Sequence, residues 1–546
     1  MSHLSAAPKS HQPLLPIAEI ARKLNLRESD YDQLGPWFAK LHLDLLQDPA
    51  RPPRGKLILV TATTPTTSGE GKTVTAIGLV QGLERIGRQA IITSREPSLG
   101  PVFGMKGGAA GGGLSQVEPS QKINLHFTGD LHAITSAHNL LAALIDAHLF
   151  HGNELNLDPA AISWPRALDM NDRALRRIAI DIDGKRDGPN RHTGFVITAA
   201  SEVMAILALA AGRDDLRRRL AAIVLGATRD GKPIRAADLH ATGAMMALLA
   251  DAILPNLVQT TEGTPALVHA GPFGNIAHGT SSLIAQQMGL RLADYVVNEA
   301  GFAGDLGAEK YIDIVMRISG VSPSAAVLVT TVQSLRNQGE GNIEKGFPNL
   351  ARHAQNLQRF GLPVVVAINR FPHDTPEELD QVAAVCAQLG VPTALTEPFT
   401  KGGAGSEDLA RAVVDLIDQN PGVAAQPIYA LSGSYEIKLE KVATQIYGAD
   451  GVTVSDNARN KLRQFVDWGY NELPICVAKT QYSFSDDPKK LGAPTGWTLH
   501  ITDVSLSAGA GFLVPIAGNM MLMPGLPKLS RAEEIDVDEE GNIVGV

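Results

Sequence analysis

The chain has 546 residues, with 57 acidic side chains against 48 basic ones and a net charge of −9 when its histidines are neutral. This length is enough for about three domains, each able to bury a core. The negative charge argues against a nucleic-acid scaffold, because non-specific binding to phosphate backbones needs a basic face. The two cysteines, Cys386 and Cys476, lie far apart without spaced His or Cys partners, so we expect reduced core thiols.

The N-terminus lacks the basic-then-apolar order of a secretion signal. The most hydrophobic window, Gly194–Gly212, contains Glu202 and divides into a predicted strand, Phe195–Ala199, and a predicted helix, Glu202–Ala211. We therefore expect no membrane span and a soluble, cytoplasmic protein.

Short runs of β-branched residues alternate with helical patterns along almost the whole chain, which predicts an α/β fold on a largely parallel sheet. The predicted strands are Leu57–Ala62, Ala90–Thr93, Ile123–Phe127, Ala221–Leu225, Tyr295–Val297, Ala326–Thr331, Val364–Asn369 and Pro392–Leu395. The predicted helices are Val74–Ile86, Asp130–Phe150, Ala237–Ile253, Ser281–Met288, Leu350–Phe360 and Pro376–Leu389. The segment from Gly492 onward is predicted to be richer in strand.

A glycine-bearing loop joins the first of these strands to the first of these helices. It reads Thr61-Ala-Thr-Thr-Pro-Thr-Thr-Ser-Gly-Glu-Gly-Lys-Thr73. In a P-loop, backbone N–H groups and the helix N-terminus hold a phosphate chain, while Lys72 would reach the terminal phosphates and Thr73 would bind Mg²⁺. The first glycine of the usual pattern falls at Thr66, but an ordinary strand–turn–helix with a chance Gly-Lys-Thr explains the stretch less well. The predicted ATP-binding residues are Thr66, Thr67, Ser68, Gly69, Glu70, Gly71, Lys72 and Thr73.

Two charged residues, Arg95 and Glu96, follow the next predicted strand. Because the carboxyl ends of parallel strands face the ligand crevice of a doubly wound sheet, we expect both beside the phosphates held by Lys72. A guanidinium there can grip a small carboxylate or stabilise a phosphoryl group in transfer. An Arg–Glu ion pair at a strand end is the alternative, and the sequence favours neither.

The glycine-rich stretch Gly104–Gly113 cannot form a helix or a central strand without a large entropy cost. It is either a flexible tether or a loop whose backbone approaches an anion. It also marks a predicted hinge between domains.

Three histidines, His126, His132 and His138, lie six residues apart. This spacing does not place two of them on one helical face at i,i+4, so an HExxH-type metal site is excluded. Asp130, between them, stands at a predicted helix start, where capping is its ordinary role. Beside a ligand, the same carboxylate could hold a cation or orient a nucleophile.

Two aromatic residues, Phe371 and Phe399, follow predicted strands, and Phe399 precedes Lys401, Gly402 and Gly403. An aromatic ring at a strand end beside glycines suits stacking on a flat heterocycle. A core position for each ring is the alternative.

Taken together, these stretches resemble those of formate–tetrahydrofolate ligases, from about Ile17 to the C-terminus. The segments that carry the resemblance are Thr64–Thr73, Arg95–Pro101, Gly104–Gly113, Asn124–Asp130, Gly271–Gly279, Glu299–Lys310, Ala478–Ser483 and Met523–Lys528. A P-loop alone is a weak signal, whereas this ordered set is specific.

The resemblance implies ATP-dependent joining of formate to N10 of tetrahydrofolate through formyl phosphate, which yields 10-formyltetrahydrofolate, ADP and phosphate. Lys72 and Arg95 are the implied catalytic residues. The implied folate-binding residues are Phe371, Phe399, Lys401, Gly402 and Gly403. Mg²⁺ with ATP is implied at Thr73, and a monovalent cation, K⁺ or NH₄⁺, at Glu96 and Asp130.

By the same resemblance we expect a homotetramer that binds ATP, formate and tetrahydrofolate, and neither nucleic acid nor membrane. The expected domains are a nucleotide-binding P-loop domain (1–110 with 283–352), a second α/β domain (111–282), and a third (353–546) that contributes the folate pocket.

The chain departs from the family pattern at two places that bear on binding. Thr67 and Ser68 stand where Pro-Ala is usual, and Phe399 stands where Trp is common. The alternative function is a P-loop switch ATPase that controls partner binding. A fused dehydrogenase/cyclohydrolase of folate metabolism fits poorly, because the chain has no G-x-G-x-x-G loop followed by an acidic residue.

Overall fold

The computed structural model describes residues 13–66, 69–104, 108, 110–180, 189–518, 520–541 and 543–545. The strands are β1 (Tyr31–Gln33), β2 (Ala39–Leu41), β3 (Lys56–Ala62), β4 (Ala90–Ser94), β5 (Gly111–Gly112), β6 (Ser115–Glu118), β7 (Arg166–Leu168), β8 (Ile178–Ile180), β9 (Arg191–Thr193), β10 (Phe195–Ile197), β11 (Val224–Ala227), β12 (Pro233–Arg235), β13 (Asn256–Thr260), β14 (Pro265–Val268), β15 (Tyr295–Glu299), β16 (Ala325–Thr330), β17 (Val364–Asn369), β18 (Thr393–Thr396), β19 (Gly451–Val454), β20 (Thr498–Ser507), β21 (Phe512–Ala517), β22 (Asp536–Val537) and β23 (Ile543–Val544). The α-helices are α1 (Ile17–Lys23), α2 (Lys72–Arg85), α3 (Leu99–Phe103), α4 (Ser120–Asn124), α5 (Asp130–Phe150), α6 (Glu202–Leu209), α7 (Arg213–Ala221), α8 (Thr242–Leu248), α9 (Leu283–Leu292), α10 (Met316–Ser319), α11 (Val332–Gln338), α12 (Ile343–Arg359), α13 (Pro376–Gln388), α14 (Pro398–Lys401), α15 (Glu407–Gln419), α16 (Tyr435–Lys441) and α17 (Asp456–Asp467).

A large central sheet organises the described chain in the order β1-β2-β13-β14-β4-β15-β3-β16-β17-β18, with β6 beside β13 and β5 beside β6. All neighbours from β14 to β18 are parallel. The strands on the other side of β14 pair antiparallel. The predicted α/β class with a largely parallel sheet is therefore confirmed.

Helices cover both faces of the parallel part, and β3 shows the consequence most clearly. Its side chains alternate between two core clusters: Ile58 and Val60 pack on the side of α2 and α15, and Leu57 and Leu59 pack on the side of α9. A strand buried on both faces must be apolar throughout rather than at every second residue. This explains why Leu57–Val60 within β3 is a continuous apolar run.

Most predicted elements near the site are confirmed, including β3, β4, β15 to β18, α2 and the full length of α5. The predicted strand Ile123–Phe127 is wrong. Helix α4 ends at Asn124, and a turn follows in which Phe127 has φ 41°. A short apolar run carries too few residues for periodicity to separate a strand from a buried helix.

Two other boundaries differ from the predictions. The predicted strand Ala221–Leu225 begins only at Val224, because α7 continues through Ala221. The predicted helix Ala237–Ile253 is α-helical only in α8. The expected strand content after Gly492 is confirmed by β20 and β21, which pair antiparallel.

The remaining predictions concern the cysteines, a membrane span, the hinge and the domain limits. Cys386 and Cys476 are both buried and free, as expected. Within the described residues, no helix is long and apolar enough to cross a membrane. Part of the predicted hinge, residues 105–107 and 109, lies outside the described residues. The predicted domain limits remain a prediction, and the central sheet takes strands from all three predicted segments.

Candidate active site

Three parallel strands bring the predicted catalytic residues to one edge of the sheet. β15 lies between β3 and β4, with Glu299 opposite Val60 and Asn298 opposite Thr93. The glycine-bearing loop predicted to be a P-loop follows β3, Arg95 follows β4, and Glu299 is the last residue of β15. The carboxyl ends of parallel strands meet at the same edge, so charged groups separated by more than two hundred residues converge there.

The loop after β3 is fixed largely by its own Glu70. One carboxylate oxygen of Glu70 accepts from the Thr66 N–H at 2.7 Å, and the other accepts from the Thr331 hydroxyl. The Asn369 side chain donates to the Glu70 carbonyl at 3.0 Å. Gly71, at φ 67°, precedes the first residue of α2. The loop is thus braced from β16 and β17, while the predicted residues 67 and 68 lie outside the described residues.

Lys72 begins α2 and points across the loop toward the end of β15. Its Nζ donates to the carbonyls of Ala300 and of Phe302, the latter at 2.8 Å, and lies 3.4 Å from Glu299 Oε1. Arg95 Nη2 lies 3.6 Å from the same oxygen, and its Nη1 donates to the Pro272 carbonyl at 3.1 Å. The ion partner of Arg95 is therefore Glu299, which differs from the Arg–Glu strand-end pair left open by the sequence.

Glu299 is a functional candidate that the sequence analysis did not assign. Burial raises its pKa, but Lys72, Arg95 and a hydrogen bond from Thr73 lower it more, so the pKa lies below its usual range. The carboxylate is ionised at neutral pH. The sequence did contain a signal for this residue. It is an acidic side chain two positions beyond a predicted strand, and it lies in a segment that carries the family resemblance.

The two residues predicted to bind a monovalent cation lie close together and are buried. Asp130 accepts from Lys40 Nζ at 2.7 and 2.6 Å and from Asn256 at 2.9 Å. Glu96 Oε2 has no hydrogen-bond partner within the described chain. Burial, and next the Asp130 charge, raise the pKa of Glu96 well above its usual range. The charge of Asp130 is already paired with that of Lys40, whereas one carboxyl oxygen of Glu96 makes no hydrogen bond to the described residues.

The two predicted stacking residues follow neighbouring strands. Asn369 and Thr396 are in register across β17 and β18, and Phe371 and Phe399 follow them. Phe399 is 43% exposed. A Cβ placed on Gly112 would lie 3.2 Å from its ring, so the end of the glycine-rich stretch lies against this ring.

The residues after Phe399 divide into one exposed charge and two packed glycines. Lys401 is exposed and pairs with Glu397. Gly402 and Gly403 are buried, and the Gly403 N–H donates to Glu262 at 2.8 Å. A Cβ on Gly403 would lie 2.7 Å from a side-chain carbon of Arg85 on α2. Gly403 thus permits close packing against α2, and Gly402 permits close packing against Glu262 and Leu114.

His278 is a second residue that sequence reasoning left without a role. Its side chain is fully buried, and neither ring nitrogen has a hydrogen-bond partner among the described residues. Burial, with the nearby cations Arg95, Arg219 and Lys310, lowers its pKa to about 3, so the imidazole is neutral. His278 lies in Gly271–Gly279, one of the segments that carry the family resemblance, but no spacing rule distinguished this histidine from its neighbours.

Comparisons with known proteins give a consistent result. The profile of the family described as formate–tetrahydrofolate ligase matches residues 5–546. A formate–tetrahydrofolate ligase of Thermotoga maritima is 51% identical over 543 residues, which cover 97% of this chain and 99% of that protein. A solved structure of a point mutant of L. casei FPGS covers 36% of this chain and 42% of its own at 17% identity, and its TM-score of 0.12 carries no argument.

Proposed function

The chain belongs to the formate–tetrahydrofolate ligase family, and from this premise we propose that it uses ATP to join formate to N10 of tetrahydrofolate through formyl phosphate. It is an enzyme of the ligase class. The observation that supports the proposed chemistry best is the approach of Lys72 and Arg95 to one carboxylate at adjoining strand ends.

ATP would lie along the loop before α2. The backbone N–H groups of Gly69 to Thr73 and the start of α2 would hold the phosphates, and Lys72 would exchange its carbonyl contacts for the terminal phosphate. The Thr73 hydroxyl, a hard oxygen donor at the first turn of α2, suits Mg²⁺. When bound, Mg²⁺ neutralises charge on the transferring phosphoryl group.

Arg95 would grip formate with its planar fork and orient one formate oxygen toward the terminal phosphorus. Attack by that oxygen forms the O–P bond of formyl phosphate and releases ADP. The N10 amine then attacks the formyl carbon, phosphate leaves, and the amine loses its proton. Arg95 would remain beside the phosphate oxygens through both steps.

The folate would bind at the ends of β17 and β18. Phe371 and Phe399 would stack on the pterin, Lys401 would border the pocket as a cation, and Gly402 and Gly403 would set the distance of this border from α2. A monovalent cation would use the free oxygen of Glu96, with Asp130 nearby. The homotetramer, the cytoplasmic location and the three domain limits belong to the same proposal.

The test is ADP release with ATP and Mg²⁺, with formate and tetrahydrofolate added singly and then together. We expect full turnover only with both, and 10-formyltetrahydrofolate formed one-for-one with ADP. ADP release that ignores both small substrates would overturn the proposal in favour of a switch ATPase, which family membership does not favour.

A further inference from the structure

Glu299 occupies the middle of the three strand ends that form the candidate site. β15 separates the strand that carries the P-loop segment from the strand that carries Arg95. The Glu299 side chain is 13% exposed, so it is not sealed in the core. A carboxylate here stands where the proposed function puts the phosphates of ATP.

The two ion-pair contacts of this carboxylate are long enough for a ligand to replace them. Its distances to Lys72 Nζ and Arg95 Nη2, 3.4 and 3.6 Å, are longer than the roughly 2.7–2.9 Å of a strong charge-assisted hydrogen bond. Lys72 makes its short hydrogen bonds to backbone carbonyls instead. Thr73, the residue proposed to bind Mg²⁺, follows Lys72 at the start of α2, and its hydroxyl helps to lower the pKa of the Glu299 carboxyl.

The backbone after Glu299 is held in an unusual shape. Phe302 has φ 58°, a left-handed conformation that residues with side chains rarely adopt. Its carbonyl and that of Ala300 accept from Lys72. Local strain of this kind is found preferentially at ligand sites, where the surrounding structure enforces it. The turn therefore ties the position of Glu299 to the start of α2.

An anion facing a phosphate chain is unfavourable unless a cation lies between them. Mg²⁺ is bound in such sites by one or two carboxylates together with the phosphates and water. Resting on the proposed function, we infer that Glu299 completes the Mg²⁺ site with Thr73, by direct or water-mediated coordination. In the ligand-free protein the same carboxylate holds Lys72 and Arg95 near their working positions.

A purely structural Glu299, which only neutralises the two cations, makes a different prediction. Removing its charge would then strengthen nucleotide binding equally with and without Mg²⁺, because the phosphates would no longer be repelled. A metal ligand instead makes the Mg²⁺ effect itself depend on Glu299. The dependence of ATP affinity on Mg²⁺ therefore separates the two roles without measuring turnover.

The experiment compares ATP binding to the full chain by calorimetry in EDTA and in Mg²⁺, for wild type, Glu299→Gln and Glu299→Asp. In EDTA we expect Glu299→Gln to bind ATP at least as well as wild type. Its gain in affinity on adding Mg²⁺ should fall by about 10- to 100-fold, the usual loss when a group that supports a metal is removed. Glu407→Gln is the matched control, since Glu407 pairs with Arg85 and Arg411 on the surface.

Electron paramagnetic resonance of Mn²⁺ with ADP gives a second readout. We expect bound Mn²⁺ with wild type and Glu407→Gln and much less with Glu299→Gln. A Mg²⁺ gain equal to wild type in Glu299→Gln would overturn the inference. If that variant does not fold, the Mg²⁺ gain of Glu299→Asp gives the same test, because aspartate keeps the negative charge but its shorter side chain moves the carboxylate away from the proposed metal. Wild type that binds no ATP in either buffer would instead refute the proposed function.

Discussion

The two ends of the candidate site are built differently. At the proposed nucleotide end, the polar groups are largely buried and already bonded: Glu70 joins the loop to Thr331, and the Asn369 side chain donates to the Glu70 carbonyl. At the proposed folate end, Phe399 is 43% exposed, and Lys401 is exposed and pairs with Glu397 on its own turn of helix. One end is fixed before any ligand arrives, and the other leaves an apolar surface open.

The difference fits the ligand that each end is proposed to bind. A phosphate chain is recognised by oriented donors, which lose affinity when they have to reorganise, so pre-bonded loops favour it. A flat ring is recognised by area and stacking, which an exposed aromatic side chain supplies without fixed hydrogen bonds. Substitutions at the two ends should therefore differ in size and in the substrate that they affect.

The largest effect is expected at the fixed end. Lys72→Ala or Arg95→Ala removes a cation that is proposed to meet the transferring phosphoryl group, and we expect turnover to fall by about 10³-fold or more. The assay is 10-formyltetrahydrofolate formation, with circular dichroism to show that the fold is intact.

Surface cations serve as controls for these two variants. Lys489→Ala and Arg411→Ala remove exposed charges far along the chain from the three strand ends, and both should turn over normally. Near-normal turnover in Lys72→Ala or Arg95→Ala would refute the roles given to these residues.

A smaller effect should come from the backbone of the loop. Gly71 has φ 67°, and a Cβ there would lie 2.5 Å from Asn369 Nδ2. Gly71→Ala should cost about 1–2 kcal/mol for the left-handed conformation alone and should raise the KM for ATP by about tenfold or more. The KM for tetrahydrofolate should change little, which would confirm that the two ends are independent.

Gly390→Ala is the matched control. Gly390 also has a left-handed φ, 68°, but a Cβ there would meet no atom within 4 Å. It should lose a similar amount of stability in a thermal melt without changing either KM. If both variants weakened ATP binding equally, global strain rather than the loop would be responsible.

At the fixed end, the sequence predicted Lys72 and Arg95 but not Glu299, the residue between them. Lys72 and Arg95 follow two predicted strands, and the rule that parallel strand ends share an edge was enough to bring them together. The strand order could not be predicted, because no local sequence pattern indicates that β15 lies between β3 and β4. Glu299 was therefore not assigned, although it contacts both cations.

Long-range pairing also explains what was not foreseen around Asp130. The helix that begins at Asp130 was predicted at its full length, because apolar periodicity is a local property. Its partner Lys40 lies ninety residues earlier in the chain. Buried ion pairs of this kind depend on tertiary packing and have no periodic signature in the sequence.

The open end offers the next test. Phe399→Ala removes a stacking surface worth about 0.5–1.5 kcal/mol, which is roughly a two- to tenfold rise in the KM for tetrahydrofolate. The KM for ATP should stay near its wild-type value. Phe399→Trp should lower the KM for tetrahydrofolate, because a larger ring stacks over more of the pterin.

Phe150→Ala controls for the loss of an exposed ring, since Phe150 is 53% exposed at the end of α5. It should leave both KM values unchanged. Equal rises in the two KM values for Phe399→Ala would mean that Phe399 supports the fold rather than the folate, and the contrast between the two ends would fail.

The smallest effect concerns the cation proposed at Glu96, whose raised pKa sets the sign of its pH dependence. A cation needs the ionised carboxylate, so protons compete with K⁺ as the pH falls through that pKa, and stimulation by K⁺ should weaken. Between the unfolded value of 4.5 and the raised pKa of the folded protein, Glu96 ionises in the unfolded chain but not in the folded one, so stability falls as the pH rises through this range, a loss that K⁺ should offset. Glu96→Gln should remove both pH dependences and lower the stimulation by K⁺ a few-fold.

Two controls accompany this variant. Tetramethylammonium replaces K⁺ at equal ionic strength, and Glu118→Gln changes another carboxyl with a raised pKa. Unchanged stimulation by K⁺ in Glu96→Gln would mean that the cation binds elsewhere.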